Sequence, residues 1–238
     1  MIVVLAEPGD SAAHWLGAEL GRCQKMPVEV VTPARLAYSP TIVHRMSTGA
    51  TDAEFDLGDG RWLRTREMRG MINRMTAVPH AQLAKAAPAD RDYAVAELHA
   101  FFLGWLASLE CPLVNPPAPE CLAGPWHSEI VALQWACQAG LGVTPRRIDA
   151  DVGAITDPPG DRAMIHFVVD GQLVGPIVPA ATRDALILFA HLWGARLVQI
   201  ETHEAEEGQR LFTKATSVVN FPIGGAPLVR AIARILAP

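Results

Sequence analysis

Five side chains stand where ligand contacts are expected in a chain of this type: Asn73, Arg74, Asn115, Trp126 and His127. Each lies at the end of a short apolar run or in the loop that follows, and open α/β sheets bind their ligands at such strand ends. Arg74 has the forked guanidinium that matches two oxygens of a carboxylate, so a small carboxylate or a peptide is the ligand these residues suit. The competing reading pairs Arg74 with a local acid, Asp92 or Glu97. Arg146, Arg147 and Arg162 could contact phosphate or lie on a solvated loop. Glu201, His203, Glu204, Glu206 and Glu207 crowd one short stretch; His with carboxylates can hold a metal, but such charge runs ordinarily sit on a solvated hairpin tip, and no metal site is assigned. Gly140-Leu141-Gly142 follows a helix instead of opening one, which is the wrong order for a dinucleotide fingerprint. A nucleophile elbow of the G-x-S-x-G type is absent from the sequence.

The elements that must position these residues are legible from hydrophobic period and turn chemistry. Ile2 to Ala6 is a continuous apolar run, the pattern of a strand buried on both faces. Asp10 or Ser11 can cap a helix to about Gly21, and Val28 to Val31 reads as a second strand, giving the opening of a parallel sheet. Gly58-Asp59-Gly60 separates two alternating runs and predicts a hairpin. A strand over Gly70 to Met75, a helix from Arg91 to Leu109, a short strand to Val114 and a Ser128-capped helix to Ala139 follow. After the polar stretch beyond Pro145, a second hairpin turns at Asp170-Gly171. Helix 182–193, strands at 196–200 and 210–219, and a helix from Pro227 complete the chain. The fold class read from this order is α/β, with a parallel-sheet domain over 1–145, a linker over 146–163 and an α+β lobe over 164–238.

Composition narrows the function classes. The 238 residues are 50% hydrophobic and 19% charged, enough apolar content for a substantial core. A net charge of −5 and the lack of a basic stripe speak against a nucleic-acid partner. No window holds eighteen uncharged apolar residues, so no membrane span is expected, and cytoplasm is the default compartment. Cys23, Cys111, Cys121 and Cys137 show neither zinc nor redox spacing and read as free thiols.

Three stretches together resemble the ATP-grasp family, in the group of glutathione synthetase and the ligases that add glutamate to peptides. They are Ile72-Asn73-Arg74-Met75-Thr76, the run from Asp92-Tyr93 through Cys111-Pro112-Leu113-Val114-Asn115-Pro116-Pro117 to Gly124-Pro125-Trp126, and Ala136 to Pro145. The resemblance implies a pre-ATP-grasp-like N-terminal domain and a closing lobe that ends near Asn220-Phe221-Pro222. It also implies ATP and magnesium chemistry, with Arg146, Arg147, Glu201 and Asn220 as candidates for nucleotide or anion contact.

The sequence departs from that pattern at both charged ends. A small antiparallel lobe of four strands and two helices needs roughly 60 residues, and only Arg146 to Ala163 is left for it. No lysine lies between Lys85 and Lys214, and Val218 stands two positions before Asn220, where the family carries an acid. The expectation is therefore a shortened, non-catalytic member that acts as a binding or partner subunit. A homodimer, or a heteromer with a catalytic ATP-grasp paralogue, would cover the apolar surface left by the shortened lobe. The alternative is a working ATP-dependent carboxylate–amine ligase with a minimal phosphate and metal site.

Overall fold

The computed structural model describes residues 1–23, 26–47, 50–143, 163–204 and 210–236. These divide by contact into two units: Met1–Pro125 together with the chain from Val229 onward, and Trp126–Leu228. The division falls before the change of composition at Pro145. Its cause is that the helix after Ser128 shares a core with later strands, as described below.

The first unit runs β1 (Ile2–Leu5), α1 (Ser11–Cys23), β2 (Val28–Val31), α2 (Pro33–Ala37), β3 (Ile42–Ser47), β4 (Ala50–Asp56), β5 (Trp62–Arg64), β6 (Gly70–Asn73), α3 (Pro88–Ala107) and β7 (Leu113–Val114). Its main sheet is parallel with strand order β2-β1-β6-β7. All of β1 is buried, and it pairs with β2 on one side and β6 on the other. That explains why the run has no polar alternation. Asp10 starts α1 by accepting the Ala13 N–H at 3.0 Å. Gly17 lets α1 lie close to β2, since a Cβ there would come within 2.9 Å of Val30 Cγ2.

The hairpin foreseen around Gly58-Asp59-Gly60 is present as β4 and β5, and β3 pairs with β4 to make a second, three-stranded antiparallel sheet. The β3 strand has no counterpart in the sequence reading, because its run Ile-Val-His-Arg-Met-Ser ends in polar and exposed positions. Phe55 from β4 packs edge-on against Trp105 of α3 and is stacked near Phe102, and all three are fully buried. The Trp105 indole N–H donates to Thr65 Oγ1 at 3.1 Å, so the ring enters the core without an unmet donor. Tyr93 of α3 is 69% exposed, because the first turns of that helix carry little of the core.

The second unit contains α4 (Glu129–Gln138), β8 (Gly142–Val143), β9 (Ala163–Val169), β10 (Gln172–Val174), α5 (Ala180–Trp193), β11 (Leu197–Glu204) and β12 (Arg210–Thr216), with the start of α6 (Phe221–Leu236). Its sheet has the order β10-β9-β11-β12-β8, antiparallel except for the β12–β8 pair. Ser128 caps α4 as its sequence suggests. Ala132 and Ala136 of α4 pack with Phe189 and Trp193 of α5 and with Phe212 of β12. The Asp170-Gly171 turn has φ of +50° and +78°, the positive values that a two-residue hairpin of the right twist requires. The β10 strand ends at Val174, because Gly175 (φ +147°) and Pro176 follow. The last helix starts at Phe221 rather than Pro227 and is broken at Gly225, whose φ of +53° is left-handed; Pro227 then lies in the first turn after the break.

His166 on β9 is fully buried, with Nε2 3.1 Å from Thr202 Oγ1 and Nδ1 without a hydrogen-bond partner. Burial, with a smaller contribution from the Arg210 charge, pulls its pKa down to about 4. The folded state thus holds the neutral ring and binds fewer protons than the unfolded chain. Stability from this site is present above about pH 6.5, the unfolded value, and falls as pH drops towards 4, by about 3 kcal/mol in total. Chemical denaturation from pH 8 to pH 4 should show that slope, and His166→Asn should flatten it.

Candidate functional site

The C-terminal ends of the parallel strands gather three of the expected residues. Asn73 closes β6 and is 2% exposed. Its side-chain amide donates to the Asn115 carbonyl at 3.2 Å and to the Leu122 carbonyl at 2.5 Å, while its Oδ1 accepts the Met75 N–H at 3.2 Å. Those contacts tie the loop after β6 to the loop after β7. Asn115, equally buried, is gripped from the other side by Gly124. A Cβ on Gly124 would lie 2.6 Å from Asn115 Cβ, and its φ is +116°, so both space and backbone call for glycine.

Arg74 has a partner that the sequence reading did not name. Its Nε donates to Asp10 Oδ2 at 2.5 Å, and the arginine side chain is only 9% exposed. Asp10, from the loop after β1 and 64 residues away along the chain, is an ion-pair partner of Arg74. Burial pushes the Asp10 carboxyl up, but the Arg74 hydrogen bond, the Ala13 N–H and the Arg74 charge outweigh it and hold the pKa below the usual carboxylate value. One carboxylate therefore starts α1 and fixes the guanidinium at the sheet edge.

Trp126 and His127 belong to the second unit. Trp126 is 65% exposed. The His127 ring lies edge-on to Trp135 and Trp193, at centroid distances of 4.5 and 4.9 Å, and its Nε2 is 3.0 Å from the Trp193 carbonyl. This is the geometry of a packed structural histidine.

On the sheet of the second unit, Glu201 of β11 pairs with Lys214 of β12 across the ladder at 3.3 Å. Asn220 is reached by Gln199, whose Oε1 accepts the Asn220 backbone N–H at 2.8 Å. Val218 is 38% exposed and offers no oxygen from its side chain. A magnesium ion needs several hard oxygen ligands. Here a dication at Glu201 would face the Lys214 ammonium, with a neutral amide and a valine beside it, so the described residues of these strands do not fit a magnesium site. Among the described residues no cluster of three or more His, Cys, Asp or Glu side chains is placed to hold a metal. Arg146 and Arg147 lie outside the described residues, as do Glu206 and Glu207. The pairings Asp10–Arg74, Gln199–Asn220 and Glu201–Lys214 are what the sequence does not show. Only the role of Asp10 as a helix cap left a local signal.

The Asp10–Arg74 pair generates a direct test. Asp10→Ala removes a cap and leaves a nearly buried guanidinium without this carboxylate, which should cost about 3 kcal/mol in urea denaturation. Gly124→Ala should be as disruptive through Asn115, and a wild-type midpoint in either variant would remove these contacts from the site's framework.

No family model matches the sequence, and no curated protein matches it. Solved structures do. Macrocyclase MdnC from Microcystis aeruginosa MRC, bound with precursor peptide MdnA, superposes with a TM-score of 0.75 at 13% identity, over 99% of this chain and 98% of that one. A Chryseobacterium gregarium RiPP-associated ATP-grasp ligase in complex with ADP and a leader and core peptide gives 0.70 at 8% identity, over 99% and 95%. A RimK domain ATP-grasp protein from Sphaerobacter thermophilus DSM 20745 gives 0.53 at 14% identity, over the whole of both chains. With a parallel-sheet unit leading into a closing-lobe sheet, and neighbours that match it end to end, the chain has the ATP-grasp fold.

Proposed function

We propose that this protein is a peptide-binding member of the ATP-grasp fold that does not turn over ATP and serves as a binding or partner subunit. The observation that carries this reading is the charge arrangement on β11 and β12. Phosphoryl transfer needs magnesium ligands and cations arranged around the phosphates. The strands that would supply the acids instead present Gln199, a Glu201 already paired with Lys214, and Val218. The short span over 144–162 between β8 and β9 supports the same reading, since it is too brief for a complete small lobe. The solved neighbours with bound precursor, leader or core peptides favour a peptide as the ligand class. Under this reading Arg74 holds the loops of the peptide site in place, and Asn73 and Asn115 shape its floor.

A second reading, an ATP-dependent carboxylate–amine ligase using ATP and magnesium, is favoured by one observation: the end-to-end match to a ligase in complex with ADP. Arg146 and Arg147 would then be the phosphate contacts. Calorimetry with Mg–ATP separates the two. Little or no saturable binding is expected below the millimolar range. A low-micromolar Kd, or thermal stabilisation of several degrees by Mg–ATP, would establish the ligase reading instead.

A partner subunit also needs a surface for its partner. Ile177, Leu188, Val218 and Ile223 of the second unit are exposed, at 99, 44, 38 and 51%. A homodimer, or a heteromer with an ATP-grasp paralogue, would cover them. Sedimentation of the pure protein should give a dimer at micromolar concentration in the homomeric case. A monomer of 25.6 kDa that also fails to co-purify with any ATP-grasp protein would end the partner-subunit reading.

A further inference from the structure

The first unit contains a cavity of about 710 Å³ that is lined by neither Asn73, Arg74 nor Asn115. Its position is set by strand direction. Met26 precedes β2, Arg69 immediately precedes β6, and Glu110, Cys111 and Pro112 immediately precede β7. The cavity therefore opens at the N-terminal ends of the parallel strands. Asn73, Arg74 and Asn115 occupy the opposite end, where ligands of open α/β sheets usually bind. Its volume falls in the range that holds small molecules.

The lining carries both signs of charge. Asp52 gives one carboxylate oxygen to Arg66 at 2.7 Å, and its other oxygen is buried without a hydrogen-bond partner. Arg69 and Glu110 are exposed and enter no side-chain hydrogen bond or ion pair among the described residues. Such groups in a concave site are available to a ligand at little cost, because no internal pair has to be broken first. Met26, Met68 and Leu236 supply the apolar part of the wall, and methionine adapts to varied side chains.

The charges discriminate between ligand classes. A divalent cation would face the guanidinium groups of Arg66 and Arg69. A simple anion such as phosphate would face Glu110 and the half-satisfied Asp52. A molecule with an ammonium and a carboxylate meets both: the ammonium donates to the Glu110 side of the cavity, and the carboxylate accepts from Arg69. We infer that this cavity is a second ligand site, which takes a small zwitterion of the α-amino-acid type, a free amino acid or a dipeptide with apolar side chains. It does not depend on the reading of the peptide site at the other end of the sheet.

Cys111 supplies a reporter, since it lines the cavity and is only partly exposed. Burial pushes its thiol pKa up, so it reacts slowly and a bound ligand can slow it further. The test uses L-leucyl-L-leucine, its N-acetyl form and its C-terminal amide. Calorimetry measures binding, and mass spectrometry follows maleimide labelling of the Cys111 peptide. The free dipeptide should bind and slow labelling several-fold. Both capped forms should bind at least tenfold more weakly, as the loss of a charge-assisted contact implies. Arg69→Ala should weaken the dipeptide similarly while leaving the melting temperature unchanged, because its side chain is exposed and, among the described residues, unpaired. Absence of binding and of protection at millimolar dipeptide would overturn the assignment, and so would equal binding of the capped forms. Those outcomes are read in the first unit alone and leave the Mg–ATP result untouched.

Discussion

A strand with no solvent face governs the first unit. Every residue of β1 is fully buried, and its backbone is shared between β2 and β6, so both neighbours must arrive parallel and in register. Parallel neighbours need crossovers, and the crossovers have to cover the sheet. That obligation places α1 against β2, with Gly17 permitting the close approach. It also brings the ends of β1 and β6 side by side, since Leu5 is paired with Asn73. The Asp10–Arg74 contact is the polar consequence of that pairing: the loop after β1 and the residue after β6 meet because their strands do. A residue chosen for ligand chemistry from its type is thus first a residue that closes a strand pair.

At that end of the sheet Asp10, Asn73 and Arg74 commit polar groups to protein partners. Asn73 uses its amide on two carbonyls and its oxygen on an N–H, which satisfies a buried side chain in the way a low-dielectric site demands. Such a framework positions loops rigidly and leaves ligand recognition to what those loops present. The opposite end of the same sheet is built differently. There, among the described residues, Arg69 and Glu110 enter no side-chain hydrogen bond or ion pair, and they line a cavity whose walls are partly apolar. The two ends of the sheet thus differ in how far their charged groups are committed among the described residues.

The second unit makes the same point through its sheet. Glu201 faces Lys214 because β11 and β12 are paired in that register, and a bulge after Glu201 shifts the register beyond it. A carboxylate paired with an ammonium in the ladder is a stabilising cross-strand pair, worth a few tenths to about 1 kcal/mol where partly exposed. The pairing commits the Glu201 carboxylate to Lys214, and with Gln199 and Val218 beside it the several oxygen ligands that magnesium needs are lacking among the described residues.

The sequence by itself determined the local elements: the buried β1, the two glycine-centred hairpins, the Ser128 cap and the α/β order of strands and helices. These follow from periodicity, turn chemistry and capping, which act over a few residues. It misplaced what depends on long-range neighbours. The sequence suggests Asp92 or Glu97 as an acid for Arg74, whereas the fold pairs it with Asp10. The composition change at Pro145 did not reveal that Ala132 and Ala136 share a core with Phe189 and Phe212. His127, a plausible ligand contact by type, lies between two tryptophans. In each case the partner comes from a distant segment, and only the folded packing, in which strand pairing and core contacts are made together, chooses it.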